Sequence, residues 1–300
     1  MDHAGVRRRY VTVDVFTDQP FGGNPLAVVL DAEGLSTAQM QALAAEFNYS
    51  ETTFVLPPSD PAHAAQVRIF TPNAEIPFAG HPNVGIAFVL AGEGRAAGEV
   101  VFEEMAGLVA MRLLHEGGAV IGAELTAPQR LARGASFTSA KVAAALGLAV
   151  EDIAGARHPP GVASVGLAFV IVELASRQAL ARLRPDLAGF RAMLPSDGAD
   201  AVFAYVTEGE AAVQARMVWP VGVTLLEDPA TGSATAALMA LLADLDPHLD
   251  ALLVRQGVDM GRPSLLHARV RREQGRVASV HVGGRCVPMF SGAFALVGNA

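Results

Sequence analysis

Cys286 is the one cysteine in a chain of 300 residues, so no disulfide can form within it. That fits a reducing compartment, and we expect a cytoplasmic protein. Basic charge is also sparse: 22 Lys and Arg against 30 Asp and Glu leave a net charge of −8, with the basic residues scattered. A surface for nucleic acid or anionic membrane is therefore not expected. No apolar run approaches the roughly 20 residues that span a bilayer, and the longest, Val162 to Val172, ends at Glu173. Arg7-Arg8-Arg9 could open a secretion signal, but Asp14 and Asp18 interrupt the segment after it.

Several chemical signatures are missing as well. The eight histidines form no His-Glu-x-x-His motif and no cluster with cysteine, so no metal is expected. Gly92-Glu93-Gly94-Arg95-Ala96-Ala97-Gly98 comes after a helix pattern, where a dinucleotide fingerprint would come after a strand, and its spacing is wrong; it reads as a turn. Ser233 lacks the Gly-x-Ser-x-Gly elbow of a serine hydrolase. No cofactor is implied, and small molecules are the expected partners.

What is present is apolar: the chain is 51% hydrophobic, enough for one large core or two of ordinary size. Two stretches, Ile76 to Gly92 and Pro229 to Ala243, contain no Asp, Glu, Lys or Arg. A helix uncharged on every side belongs inside a domain. The first is expected to start near Pro82, after the turn Gly80-His81, and the second comes after Gly232-Ser233. Each start would leave backbone amides aimed at whatever precedes the helix, which suits an anion.

Around these helices the pattern predicts strands and turns. Tyr10 to Phe16 and Leu26 to Leu30 form a hairpin through Phe21-Gly22-Gly23-Asn24-Pro25, and Ser36 caps a helix that Asn48 stops. Further strands are expected at Thr52 to Leu56, Gln66 to Phe70, Glu99 to Phe102, Gly107 to Leu114 and Val120 to Leu125. The second half offers a helix at Lys141 to Leu146 closed by Gly147, a strand at Leu167 to Val172, and a Ser176-capped helix through Leu180 and Leu183. Strands at Val202 to Val206, Ala215 to Val218, Ser264 to Arg271, Val277 to Val282 and Gly292 to Val297 complete it, with Gly283-Gly284 as a hairpin turn.

The two halves echo one another. Arg68-Ile69-Phe70-Thr71-Pro72 is matched by Arg216-Met217-Val218-Trp219-Pro220, each shortly before an uncharged helix, and Gly80 by Gly232. This predicts an α+β protein of two pseudo-symmetric halves, residues 1–127 and 128–300, each a curled mixed β-sheet around a central buried helix. The last strand could pair with the N-terminal half. The mirrored helix starts are expected to face one cleft.

Asn48-Tyr49-Ser50-Glu51-Thr52-Thr53-Phe54-Val55, Phe70-Thr71-Pro72, Glu75 to Pro82, Glu227 to Ser233 and Gln256 to Ser264 together resemble the phenazine-biosynthesis isomerase (PhzF-like) family. The resemblance covers essentially the whole chain. It implies the diaminopimelate-epimerase-like fold, a homodimer, and isomerisation of a small carboxylate-bearing metabolite, such as trans-2,3-dihydro-3-hydroxyanthranilate, without metal or organic cofactor. By the resemblance Glu51 is the proton carrier, His81 and Asp228 are its catalytic companions, and Gly80, Gly232 and Ser233 bind substrate. A carboxyl group desolvated in a closed cleft suits that task.

Each residue also has a plainer reading. Apolar Phe47, Tyr49, Phe54 and Val55 around Glu51 are expected to desolvate it, yet Glu51 could simply precede a strand, His81 could be a capping or core histidine, and Asp228 and Ser233 could be helix-start residues. Racemases of this fold place a cysteine at each helix start. Here Ala79-Gly80-His81 and Thr231-Gly232-Ser233 stand there, so two-cysteine chemistry is not expected. Val218-Trp219-Pro220 replaces the Phe-x-Pro expected in the family, so the resemblance does not fix the substrate. An amino-acid epimerase using one base, and a ligand-binding dimer without activity, are the rival readings.

Overall fold

The computed structural model describes residues 6–296, which fall into two compact units. Unit 1 runs through Leu125 and resumes at Gly283; unit 2 is Thr126–Val282. The change of unit after Leu125 lies two residues before the boundary expected after 127. The segment from Gly283 belongs to unit 1.

Unit 1 comprises β1 (Arg7–Val15), β2 (Asn24–Val29), α1 (Thr37–Phe47), β3 (Glu51–Leu56), β4 (Ala65–Phe70), β5 (Glu75–Ile76), α2 (Gly80–Gly92), β6 (Glu99–Glu104), β7 (Gly107–Glu116) and most of β8 (Ala119–Thr126). The strands pair in the order β1-β2-β3-β4-β6-β7-β8, with β5 folded back on β4. The C-terminal strand pairs with both β8 and β1, which closes the sheet into a barrel. Inside it lies α2, buried at ten of thirteen positions and packed on β1, β2, β3 and β7. Outside, Met40 and Ala44 of α1 cover Val29, Phe54 and Phe70. The capping box of Ser36 with Gln39 starts α1, and Asn48, left-handed at φ 53°, ends it as expected.

Unit 2 continues with β9 (Ala132–Ser136), α3 (Ser139–Leu146), β10 (Gly161–Ser164), β11 (Ala168–Glu173), α4 (Arg177–Arg182), α5 (Leu187–Met193), β12 (Val202–Thr207), β13 (Ala212–Val221), β14 (Thr224–Asp228), α6 (Gly232–Leu245), β15 (Ala251–Gln256), β16 (Ser264–Glu273) and the start of β17 (Arg276–Ala295). Its pairings repeat those of unit 1 strand for strand: β10-β11 antiparallel, β11-β12 parallel, β12-β13 antiparallel, β13-β15 parallel, with β14 folded back on β13. The helix α6, buried at eleven of fourteen positions, packs on β10, β11, β15 and β16.

The repeat reaches individual side chains. Arg68 of β4 grips both oxygens of Glu75 through Nε and Nη2 at 2.7 and 2.6 Å, and Arg216 of β13 grips Glu227 the same way at 2.7 Å each. Such forks pin the short back-folded strand that leads into each buried helix. Arg216 goes further, its Nη1 donating to the Leu180 and Leu183 carbonyls at the end of α4.

Three local expectations need correction. Gly283-Gly284 is no turn: it lies within β17, and β8 crosses so near that a Cβ on Gly122 would stand 2.0 Å from the Gly284 carbonyl oxygen. The strands expected at 277–282 and 292–297 are parts of that one strand, with Val297 outside the described residues. And α2 begins at Gly80 with Ala79 as N-cap, which puts Pro82 third in the helix, still in the first turn where its missing N–H costs no intrahelical bond. Short β5, β9, β10, β14 and β15 and the helix α5 were not foreseen.

Candidate active site

Glu51 opens β3, beside Leu26 of β2, and its carboxyl faces α2. Its Oε2 lies 3.3 Å from Nε2 of His81, the second residue of α2, with side-chain exposures of 17% and 6%. Phe54, expected to desolvate Glu51, is on the opposite face of β3 and packs under α1 against Phe70.

The other nitrogen of His81 settles its tautomer. Ser50 Oγ donates to Asn24 Oδ1 at 2.9 Å, which turns the amide nitrogen of Asn24 to Nδ1 of His81 at 3.3 Å. An amide nitrogen only donates, so Nδ1 accepts and the ring proton sits on Nε2, the nitrogen nearer Glu51, which forms no hydrogen bond with it at this distance. Burial pushes the imidazole pKa down to about 3. At neutral pH the pair is therefore a neutral N–H donor beside a carboxyl group and not an ion pair, although the distance alone would allow one.

At the start of α6 the N-cap is Thr231, so Asp228 does not cap this helix. Asp228 ends β14 and accepts the Thr231 hydroxyl at 2.5 Å. Gln256, fully buried, receives the Thr231 N–H and donates to both the Asp228 carbonyl and Thr231 Oγ1. The hydroxyl is thereby committed away from the helix, and neither Ala79 nor Thr231 makes a side-chain cap bond. Both helices thus open with backbone amides that no side chain of their own N-cap occupies: those of Gly80 and His81 on α2, and those of Gly232 and Ser233 on α6.

The model of the phenazine biosynthesis-like (PhzC-PhzF) family matches this sequence over residues 13–292. The chain belongs to this family. Among its relatives, an uncharacterized isomerase of Mesorhizobium japonicum is 40% identical over 301 residues, covering 95% of this chain and 98% of the relative. The trans-2,3-dihydro-3-hydroxyanthranilate isomerase of Pseudomonas aeruginosa is 38% identical over 280 residues, covering 92% and 95%. The crystal structure of a Bacillus anthracis PhzF-family protein superposes with a TM-score of 0.85 at 24% identity, over 97% of this chain and all of that one. This PhzF chain is an isomerase with the α+β, diaminopimelate-epimerase-like fold.

Within it, Glu51 and His81 meet in unit 1, while Asp228 ends β14 and Gly232 and Ser233 open α6 in unit 2. Asn24 and Ser50 were missed as site residues because Asn24 also reads as a turn former and Ser50 as a linker. Gln256 was missed because a lone glutamine before a glycine carries no pattern. Among the described residues no helix is long and apolar enough to cross a membrane, and no group of three His, Cys, Asp or Glu is placed to hold a metal ion.

Proposed function

We propose that the chain moves a proton between carbons of a small carboxylate-bearing metabolite, with Glu51 as the proton carrier. The observation that carries this reading is the 3.3 Å approach of Glu51 Oε2 to a histidine whose tautomer Asn24 fixes. The Glu51 carboxylate takes a proton from one carbon, becomes an acid, and returns a proton to another. One proton leaves the substrate and one arrives, so no electron acceptor is required. Neutral His81 keeps its Nε2–H available throughout, first for the carboxylate and then for an oxygen on which charge develops.

We assign Asp228 to orienting the substrate, and Gly80, Gly232 and Ser233 to its anionic group through the amides that open α2 and α6. The relatedness to a trans-2,3-dihydro-3-hydroxyanthranilate isomerase makes that compound the first substrate to try. Cyclic amino and hydroxy acids come next, because a one-base epimerase would use the same pair. Incubation in D2O with mass and NMR readout tests the proposal. A true substrate gains solvent deuterium at the isomerised carbon, or at an unchanged skeleton with inverted configuration for an epimerase. Ligands that bind, with neither exchange nor isomer formed, would overturn it in favour of a binding protein.

A further inference from the structure

In unit 2 Gln256, the last residue of β15, holds the start of α6 from beneath through its bonds to Asp228 and Thr231. Strand register carries this position to Glu104. In β4 and β6, Ala65 pairs with Phe102 and Gln66 with Glu103; in β13 and β15, Val213 pairs with Val254 and Gln214 with Arg255. With Arg68 matched to Arg216, the next residue is Glu104 in one unit and Gln256 in the other. Glu104 ends β6 as Gln256 ends β15, and its carboxyl meets Asn83 in the first turn of α2.

The two side chains lack what a proton would supply. Asn83 donates through Nδ2 to the carbonyl of Ala79, the N-cap of α2, while its Oδ1 is buried with no donor among the described residues. Both oxygens of Glu104 are buried, and although Asn83 lies within reach of the carboxyl group, neither oxygen makes a well-formed hydrogen bond. A carboxylate can only accept, whereas a carboxylic acid has one donor and one acceptor side, as the Gln256 amide does.

We propose that Glu104 is a positioning residue that works as a neutral carboxylic acid, holding the start of α2 through Asn83 and Ala79, and that loss of its proton releases the turn that carries His81. Burial pushes this carboxyl up to about 8, with Asn83 pulling the other way. The charged groups lining the cleft beside it are Arg68, Glu75 and Glu103. Arg68 is committed to Glu75. Glu103 is held at about 2 by the Asp60 amide, His63 and the Ser59 amide, so it stays negative and committed to those partners. From α2, Asn83 faces Glu104.

The relevance to turnover rests on the proposed function, so the tests use no substrate. The imidazole resonances of His81 are tracked by two-bond 1H–15N NMR from pH 6 to 9.5, assigned with His81→Gln. We expect an inflection near pH 8 in the wild type and none in Glu104→Gln. Thermal unfolding gives the second readout. The unfolded carboxyl releases its proton near the ordinary 4.5 and the folded one near 8, so its stabilisation is full below the first value and is lost as pH rises to the second. Glu104→Gln lacks that loss and should gain several degrees of Tm on the wild type between pH 5 and 8.5, whereas Glu104→Ala, lacking donor and acceptor, should fall below both at pH 6. A Tm gain without the His81 inflection would make Glu104 a structural acid and overturn the positioning role; neither effect would overturn its neutral state.

Discussion

Nε2 of His81 stands 3.3 Å from Oε2 of Glu51 because two separate elements converge: the start of α2 inside the barrel of unit 1, and the first residue of β3 in its wall. Asn24, at the start of β2, closes the arrangement from the other side of the imidazole. The ring is held by an amide that must donate to it, so its remaining proton sits on the nitrogen nearer the carboxyl group, at a distance that is a close approach without a formed hydrogen bond. That geometry gives the Glu51 carboxyl group a fixed neutral neighbour.

Replacing Glu51 by Gln is expected to keep the fold and remove turnover. The amide retains size and hydrogen-bonding capacity but is not a useful base, and general acid–base catalysis is worth about 10²- to 10⁴-fold in rate. Turnover measured on a verified substrate should fall by at least that factor, while the Tm stays within a few degrees of wild type. Near-normal turnover in Glu51→Gln would transfer the role to another base.

The sign of the His81 shift sets a second expectation. An unfolded histidine titrates near 6.5, while the folded imidazole refuses a proton down to about 3. Between these values the unfolded state binds the extra proton, so this contribution to stability is present above pH 6.5 and is lost as pH falls toward 3, at about 1 kcal/mol per pH unit. His81→Gln removes the term. Urea unfolding at pH 7, 5.5 and 4.5 should show a shallower acid loss in the variant than in the wild type; parallel slopes would mean that the imidazole is not held neutral.

Much of this was legible in the sequence, for physical reasons. Uncharged helices can only be buried, so α2 and α6 announced the centres of both units, and the Arg68 and Arg216 segments betrayed the repeat because each must fork onto a glutamate before its helix. What escaped was whatever depends on partners far away in the chain. Gly283 and Gly284 look like a turn until β8 is seen crossing them, and Phe54 looks like a neighbour of Glu51 until strand alternation turns it to the other face. Glu104 carries no pattern of its own, and register alone reveals it as the counterpart of Gln256.

The two arginine forks should differ in strength. Arg216 has a side-chain exposure of 9% and satisfies two α4 carbonyls besides Glu227, whereas Arg68 is 25% exposed and adds Thr37 Oγ1 and the face of Phe70, 5.2 Å from the ring centroid. Arg216→Ala strands a partly buried carboxylate and two carbonyls, which costs about 3–5 kcal/mol. Arg68→Ala, whose partner can be rescued by water, should cost about 1–2 kcal/mol. Denaturant unfolding of both variants checks the order, and an equal or reversed cost would show that the α4 contacts contribute little.

Gly85 offers the most direct test of how closely α2 fills its barrel. A Cβ there would lie 2.5 Å from Leu26 Cδ2, 3.0 Å from Val15 Cγ2 and 3.2 Å from Val13 Cγ2, so three side chains on two strands would have to yield at once. Alanine is otherwise the better helix former, by about 1 kcal/mol over glycine. In a loosely packed interior Gly85→Ala would therefore stabilise. Here overpacking of this kind costs about 1–3 kcal/mol and outweighs the helical gain. Because Leu26 and Val15 flank Asn24 and its turn, the strain should also reach His81 and lower turnover more than the stability loss alone explains. Gly92→Ala, near the other end of the same helix with open space around its Cβ, is the matched control and should be neutral or mildly stabilising. Chemical denaturation of the two variants side by side decides it: a stabilised Gly85→Ala would mean that α2 has room to move within the barrel, and that the 3.3 Å approach of His81 to Glu51 is not held by packing.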